Sequence, residues 1–247
     1  MGQLQDRVAI VTGASNGLGR AIAEMFASEG AKVALAARRK GALDEVAAGI
    51  VKNGGTALAV PTDVAKEAEV IALFAKAREA FGRVDILVNN AGMPNLKPTE
   101  EMSLALWQEI IDVNLTGAFL CSREALKIMK PQGGGRIVSM GSISAWSART
   151  NAIGYNVTKA GIEGLTRSLT VDGREYGVVA SVIHPGAAAS GFTEGRSPGA
   201  GATPQDYLMS PDHVARVALL MCSLPPEVNL FDATILPNHQ PSFIGRG

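Results

Sequence analysis

The stretch of sequence that decides the fold lies near the start of the chain and reads Val8-Ala9-Ile10-Val11-Thr12-Gly13-Ala14-Ser15-Asn16-Gly17-Leu18-Gly19. Its first part is a continuous apolar run, which predicts a β-strand over residues 7–12 that is buried on both faces. The three glycines that follow permit a tight turn and let backbone N–H groups approach a phosphate. The helix predicted to begin at Gly17 adds partial positive charge at its N-terminus. The stretch therefore predicts a strand, a phosphate-binding loop and a helix in succession.

The same alternation of strand and helix continues along the chain. Apolar runs predict further strands at 32–36, 57–60, 84–89, 136–140, 178–183 and 233–236, separated by helices at 17–29, 43–51, 67–81, 104–130 (two helices), 155–175 and 210–223. Repeated strand–helix units of this kind predict an α/β fold, a doubly wound parallel sheet of about seven strands, which is the Rossmann fold. No linker interrupts the pattern, so residues 1–247 are predicted to form a single domain. The irregular stretch 186–208 is rich in Gly, Ala, Pro and Ser and is predicted to be a lid over a site.

Charge and composition exclude several classes of function. The chain has 23 basic and 23 acidic residues and a formal net charge of zero, which argues against broad electrostatic binding of nucleic acid or of an anionic membrane. It has no run of 18 apolar residues, and its N-terminus is polar, so neither a membrane span nor a signal peptide is predicted. Cys121 and Cys222 lie in apolar runs and are expected to be buried reduced thiols, which fits a cytoplasmic protein.

Metal chemistry and hydrolysis are not indicated by the sequence. His184, His213 and His239 are isolated, with no ligand spacing between them, and no G-x-S-x-G elbow is present. His184 stands just before Pro185, where it could either touch a ligand or have a structural role.

A tyrosine and a lysine stand four residues apart in the predicted helix 155–175, in the run Tyr155-Asn156-Val157-Thr158-Lys159. Residues at this spacing share one helical face, so Lys159 can hold a positive charge near the Tyr155 hydroxyl. A tyrosine has a pKa of ~10, and a nearby cation lowers that pKa by favouring the phenolate. The pair thus predicts a proton donor and acceptor suited to an alcohol or a carbonyl.

Together, the loop T-G-x-x-x-G-x-G and the Tyr155–Lys159 pair resemble the short-chain dehydrogenase/reductase family. The resemblance extends from Val8 to about Gly186, with the motifs in the family's order. It implies four catalytic residues, namely Asn114, Ser142, Tyr155 and Lys159.

The family resemblance also implies a role for each of these residues. Tyr155 is expected to act as general acid in carbonyl reduction and as general base in the reverse reaction. Lys159 is expected to lower the Tyr155 pKa and to bind the nicotinamide ribose. Ser142 is expected to hydrogen-bond the substrate oxygen, and Asn114 to hold a water that links Lys159 to bulk solvent. The cofactor supplies the hydride, because no side chain can donate one.

The end of the second predicted strand bears on which cofactor binds. An acidic residue there would bind the ribose 2′-hydroxyl of NAD, but Ala37 stands in that place and Arg38 follows. A guanidinium binds phosphate in a forked geometry, so Arg38, helped by Arg39, predicts NADP (NADPH), with NAD the less favoured cofactor. The cofactor-binding residues predicted from the loop and from the resemblance are Gly13, Ser15, Asn16, Gly17, Leu18, Gly19, Arg38, Arg39, Asp63, Val64, Asn90, Ala91, Gly92, Tyr155, Lys159, Pro185, Gly186 and Ser190.

Mainly apolar residues are predicted to form the substrate pocket, which favours a neutral, partly hydrophobic ketone or secondary alcohol. Predicted substrate contacts are Ser142, Ser144, Met93, Trp146 and Phe192, and further wall positions are Pro94, Asn95, Ala145 and Ile153.

The sequence leaves two alternative functions open. One is a 3-oxoacyl-(acyl-carrier-protein) reductase of lipid synthesis. The other is a non-catalytic NADP-binding sensor, which is disfavoured because Ser142, Tyr155 and Lys159 are all present.

The small residues Ala160, Gly161 and Gly164 permit close helix packing, and the family resemblance implies a homotetramer, or otherwise a homodimer.

Overall fold

A parallel sheet of seven strands forms the centre of the structure, a computed structural model that describes residues 2–94, 96–189 and 208–238. The strands are β1 (Val8–Thr12), β2 (Lys32–Ala37), β3 (Thr56–Pro61), β4 (Ile86–Asn89), β5 (Gly135–Met140), β6 (Val178–Pro185) and β7 (Asp232–Ile235). They are arranged in the order β3-β2-β1-β4-β5-β6-β7. Because the order reverses between β1 and β4, a crevice opens there outside the carboxyl ends of the strands, where α/β sheets of this type bind ligands.

Helices cover both faces of the sheet. They are α1 (Gly17–Ser28), α2 (Lys40–Lys52), α3 (Glu67–Phe81), α4 (Leu104–Ile111), α5 (Gly117–Gln132), α6 (Ile153–Gly173) and α7 (Pro211–Ser223). Apolar residues of α1, α2 and α7 pack on one face, and those of α3, α5 and α6 pack on the other. None of the helices in the described part of the chain is long and apolar enough to cross a membrane.

The first strand shows why its sequence is a continuous apolar run. All five of its residues are buried. Ala9 and Val11 contribute to the core under α1 and α2, whereas Ile10 between them contributes to the core on the opposite face. Successive side chains of a strand point to opposite faces, so a strand covered on both sides needs apolar residues at every position.

Helix starts follow local capping chemistry. The Ser210 side chain accepts a hydrogen bond from the backbone N–H of Asp212, and Pro211 occupies the first turn of α7, where its missing N–H costs nothing. Ser103 caps α4 in the same way, through the N–H of Leu106.

The α/β class, the doubly wound parallel sheet and the seven predicted strands are confirmed, with strand and helix ends shifted by up to three residues. A difference occurs within the predicted pair of helices at 104–130, where the π-helical segment Asp112–Thr116 joins α4 to α5. Of the predicted lid 186–208, residues 190–207 lie outside the described residues. At its two ends, Ala188 pairs with Met209 in a parallel bridge, and the N–H of Ala189 donates to the Met209 carbonyl at 3.0 Å.

Candidate active site

The glycine loop between β1 and α1 is held by Asn90, which follows β4. The side-chain amide of Asn90 donates to the carbonyl oxygens of Thr12 at 2.9 Å and of Gly13 at 3.2 Å. The Thr12 hydroxyl accepts the backbone N–H groups of Asn90 and Ala91, each at 3.0 Å, and donates to the Val88 carbonyl. These bonds join the first and fourth strands at the point where the crevice opens.

Gly19 shows how closely this loop packs. A Cβ atom at this position would collide with the Gly13 carbonyl oxygen and with the Asn90 side-chain amide. Only a residue without a side chain lets α1 begin against the loop, so its N-terminus faces the crevice. The arrangement fits a pyrophosphate, because backbone N–H groups and the helix dipole both favour an anion there.

A cleft of about 390 Å³ lies over this loop. It is lined by Gly13, Ser15, Asn16, Gly17, Leu18, Ala36, Ala37, Arg38, Arg39, Thr62, Asp63, Val64, Asn90, Ala91, Gly92, Met93, Pro94 and Val113. Most of the predicted cofactor-binding residues are therefore in one cleft, together with the predicted pocket residues Met93 and Pro94. Gly19 lies directly behind the cleft lining, whereas Pro185 and Gly186 lie at the carboxyl end of β6.

Two arginines form one end of the cleft. Arg38 and Arg39 directly follow β2, and both are exposed. Neither guanidinium has a carboxylate partner among the residues that the structure describes. Two guanidinium groups that line the cleft, with no carboxylate partner in the described residues, favour binding of a further phosphate.

Asp63, which follows the neighbouring strand β3, also lines the cleft. Its carboxylate accepts the N–H of Ala65 at 3.1 Å, and its own N–H donates to the Glu69 carboxylate at 2.7 Å. That backbone bond, followed by the Lys66 ammonium, lowers the pKa of Glu69. The turn that carries Asp63 and Val64 is thus held in place by its own hydrogen bonds.

Lys159 is buried at the carboxyl end of β5. Its side chain is directed from α6 to the sheet, where Nζ donates to the Met140 carbonyl at 2.6 Å. The Tyr155 ring lies on the same face of α6, with its centroid 5.5 Å from Nζ. Burial lowers the pKa of Lys159 from 10.5 to about 8. Its proton is therefore more easily released than that of an exposed lysine.

Asn114 lies in the π-helical segment between α4 and α5 and is buried. Its side chain accepts the N–H of Met93 at 2.7 Å and donates to the Met93 carbonyl at 3.0 Å. It also contacts the Thr158 hydroxyl at 3.3 Å, one residue before Lys159. Asn114 therefore joins the cleft wall at Met93 to the helix that carries the Tyr155–Lys159 pair.

Ser142 follows β5 and starts a short turn of 3₁₀-helix, Ile143–Ala145. Its Oγ accepts the N–H of Ser144 at 3.1 Å, which leaves its hydroxyl proton available to another acceptor. Met140, whose carbonyl binds Lys159, lies two residues before Ser142, so both residues are at the end of the same strand. Ser144 is buried, and Trp146 is 48% exposed at the end of this turn.

Some predicted residues are not described, and some important residues were not predicted. Asn95, Ser190 and Phe192 lie outside the described residues. Thr12 and His184 were not among the predicted site residues. Thr12 could have been found from the sequence, because it is a polar residue between a buried apolar run and the glycines of the loop. His184 contacts the backbone of Ser142, and no local pattern indicates that contact.

The two cysteines are buried and not paired with each other. Cys121 and Cys222 are buried free thiols, and burial raises the pKa of each to about 12. Within residues 2–94, 96–189 and 208–238, no group of three His, Cys, Asp or Glu side chains could hold a metal ion.

Comparisons with known proteins agree with this geometry. Residues 7–200 match the family described as short chain dehydrogenase. The chain is 39% identical to a 3-oxoacyl-[acyl-carrier-protein] reductase of Synechocystis over 195 residues, which cover 78% of this chain and 79% of that protein. It is 37% identical to a cis-4-hydroxycyclohexanecarboxylate dehydrogenase of Sinomonas cyclohexanicum over 88% of this chain and 90% of that protein. The crystal structure of an alcohol dehydrogenase from Thermococcus sibiricus, complexed with 5-hydroxy-NADP, is similar with a TM-score of 0.86 and 29% identity, covering 96% of this chain and 98% of that chain.

Proposed function

The chain belongs to the short-chain dehydrogenase/reductase family, and we propose that it transfers a hydride between NADP(H) and a ketone or secondary alcohol, with Tyr155 as the general acid or base. The enzyme class follows from the family, and the names of two relatives describe a reductase and a dehydrogenase. The observation that carries the finer proposal is the position of Lys159, which is buried at the carboxyl end of β5 with its Nζ 5.5 Å from the centroid of the Tyr155 ring.

The cleft supports the choice of NADP. Its glycine loop fits a pyrophosphate, and Arg38 with Arg39 would hold a 2′-phosphate at the end of β2. Asp63 and Val64, on the wall formed after β3, would contact the adenine. The presence of an NADP derivative in the related Thermococcus sibiricus structure is consistent with this assignment.

The chemistry divides among three side chains, while bound NADPH supplies the hydride. Tyr155 would give its phenolic proton to the substrate oxygen during reduction and take it back during oxidation. Lys159 would favour the phenolate through its positive charge. Ser142, whose Oγ already accepts the Ser144 N–H, would donate its own proton to the substrate oxygen and stabilise the charge that develops there.

Asn114 would act on this arrangement through Met93 and Thr158. Its amide holds the Met93 backbone in the cleft wall and lies beside the residue that precedes Lys159. The predicted role of Asn114 in a water-mediated link from Lys159 to solvent stays part of the proposal.

The test is oxidation of NADPH by the purified protein against a panel of neutral ketones, with NADP⁺ and the matching alcohols for the reverse direction. We expect turnover with at least one neutral ketone and its alcohol. If NADPH binds to the protein but no ketone or alcohol in the panel is converted, the proposed function is wrong.

Reduction of 3-oxoacyl groups on an acyl carrier protein is a second candidate function, supported by the 39% identity to the Synechocystis reductase. The same assay distinguishes the two candidates when a 3-oxoacyl carrier protein is compared with free ketones of equal chain length. A kcat/KM at least about tenfold higher for the carrier-bound substrate, about 1.4 kcal/mol of differential binding, would favour this second function.

We propose a homotetramer, with a homodimer as the alternative. One side of α6 is exposed and built from small and apolar residues: Val157 is 43% exposed, Val171 is 59% exposed, and Ala160 and Gly164 lie exposed between them. An exposed stripe of this composition permits close packing against a second helix. Light scattering that shows a monomer at micromolar concentration would contradict this assignment.

A cytoplasmic location is also proposed. The two buried reduced thiols, Cys121 and Cys222, fit a reducing compartment. Fractionation of the producing cells would place the protein with the cytoplasmic contents if the proposal is right, and with secreted proteins if it is wrong.

A further inference from the structure

His184 is a fully buried histidine near the end of β6, directly before Pro185. It lies on the face of the sheet that α6 covers. Its Nε2 atom has no hydrogen-bond partner within the described residues, although three polar groups surround the ring. A buried polar atom without a partner is costly, so the surroundings of this ring need an explanation.

The Nδ1 atom of His184 lies against the backbone of Ser142. It is 3.2 Å from the Ser142 nitrogen and 3.1 Å from the Ser142 carbonyl oxygen. In a neutral imidazole, Nδ1 can either accept the N–H or donate to the carbonyl, and the position of the ring proton decides which.

Two carboxylates face the other ring nitrogen. Nε2 is 3.5 Å from Asp232 Oδ2 and 3.8 Å from Glu163 Oε1. Asp232 opens β7, and Glu163 is on α6, where its second oxygen binds Arg167 at 3.2 Å. Two negative groups near Nε2 favour a proton on that atom, which leaves Nδ1 as the acceptor of the Ser142 N–H.

Gly141 and Trp146 fix the ring from two further sides. A Cβ atom at Gly141 would lie 2.5 Å from Nδ1 and 2.6 Å from Cε1 of His184, so the imidazole occupies the space that a side chain would need. The Trp146 and His184 rings pack with centroids 4.2 Å apart and planes tilted by 40°. The buried His184 ring therefore contacts Ser142 itself, Gly141 before it and Trp146 after it.

We propose that His184, with its proton on Nε2 facing the carboxylates of Glu163 and Asp232, is a positioning residue that holds the Ser142 backbone in place for the reaction. Accepting the Ser142 N–H fixes the start of the turn that directs the Ser142 hydroxyl. A side chain that donates hydrogen bonds to the substrate oxygen must be held accurately, since a small misplacement weakens it mainly in the transition state.

This inference rests on the proposed function through the role of Ser142, and its kinetic test is a double-mutant cycle. His184→Leu removes the acceptor while keeping similar volume, and we expect kcat to fall at least about tenfold with little change in KM for NADPH. In a Ser142→Ala background, the same substitution should lower kcat by less than about twofold, because the residue it positions is gone.

Two further variants distinguish loss of the hydrogen-bond acceptor from general effects of replacing a histidine. His184→Asn keeps an acceptor near the position of Nδ1 and should recover most of the activity that His184→Leu loses. His213, on the exposed side of α7, provides the matched control, because His213→Leu should leave kcat unchanged. If His184→Leu does not fold, Gly141→Ala displaces the ring from the opposite side and should produce the same loss of kcat.

Equal losses of kcat in the wild-type and Ser142→Ala backgrounds would overturn the proposal, since His184 would then act on overall structure alone. Nitrogen NMR of the labelled histidines gives a readout that needs no turnover. A proton on Nε2 and a bare Nδ1 at His184 are expected, and a proton on Nδ1 would overturn the proposal even if the enzyme is active. A protein that shows the expected tautomer but reduces no ketone would instead contradict the proposed function.

Discussion

The Nζ atom of Lys159 lies 2.6 Å from the carbonyl oxygen of Met140, the last residue of β5. This bond carries a charged side chain from α6 into the interior, two residues from Ser142. A tyrosine and a lysine four residues apart are common in helices. Here the contact with Met140 places the face of α6 that carries both residues at the carboxyl end of the sheet, where α/β folds bind ligands.

Because Lys159 is buried, the free energy of unfolding should change with pH in the alkaline range. Its pKa is about 8 in the folded chain, against 10.5 for an exposed lysine. Between these values the unfolded chain binds more protons, so this group adds stability as pH rises from about 8 to about 10.5. Over that range wild type should gain up to about 3 kcal/mol relative to Lys159→Met, measured by urea unfolding.

The exposed Lys76 on α3 is the control for that comparison, because Lys76→Met removes an ammonium that is not buried. If the curves of wild type and Lys159→Met run parallel from pH 8 to 10.5, the ammonium is not held in a buried site.

Arg38 should determine the choice between the two nicotinamide cofactors. A charged hydrogen bond is worth about 1.5–3 kcal/mol, so NADPH should bind at least about tenfold more tightly than NADH. Arg38→Asp should reverse this order, because a carboxylate repels the 2′-phosphate and accepts from the ribose hydroxyl of NADH. Fluorescence titration measures both affinities.

A matched variant removes the same charge elsewhere. Arg216 is exposed on α7 and is not part of the cleft lining, so Arg216→Asp should keep the wild-type preference. Equal affinities of wild type for NADPH and NADH would show that Arg38 does not bind a 2′-phosphate.

Gly19 should tolerate no side chain. The Cβ of Gly19→Ala would collide with the Gly13 carbonyl and the Asn90 amide, which should cost about 1–3 kcal/mol of stability and weaken cofactor binding. Gly49 on α2 has open space around it, so Gly49→Ala should be neutral or more stable by up to about 1 kcal/mol. Thermal unfolding of the two variants, Gly19→Ala and Gly49→Ala, is measured with and without NADPH. Equal effects of the two substitutions would argue against the tight packing of the loop.

The sequence predicts elements well and long-range contacts poorly. Continuous apolar runs such as Val8–Val11 predict buried parallel strands because strand burial depends on local composition. The glycine spacing likewise predicts a loop that lines the cleft. The contact of Lys159 with Met140 and the bonds of Asn114 to Met93 join residues from separate elements, so no local pattern indicates them.

His184 illustrates the same limit more strongly. As an isolated histidine before a proline, it leaves a ligand contact and a structural role both open in the sequence. Its significance arises only when β6, α6 and β7 bring Ser142, Glu163 and Asp232 around one ring. The π-helical segment Asp112–Thr116 also has no signal in the apolar pattern, yet it presents Asn114 to Met93.

The most direct test of the central claim, that Tyr155 is the general acid or base, is a comparison of Tyr155→Phe with Tyr176→Phe. Tyr176 is 48% exposed and packs on Lys130, outside the cleft, so it controls for loss of a phenol hydroxyl. General acid–base catalysis contributes ~10²–10⁴ in rate, so Tyr155→Phe should lose at least about a hundredfold in kcat while binding NADPH normally. Tyr176→Phe should match wild type in both kcat and NADPH affinity. Turnover by Tyr155→Phe near that of wild type, on a ketone that wild type reduces, would contradict the account.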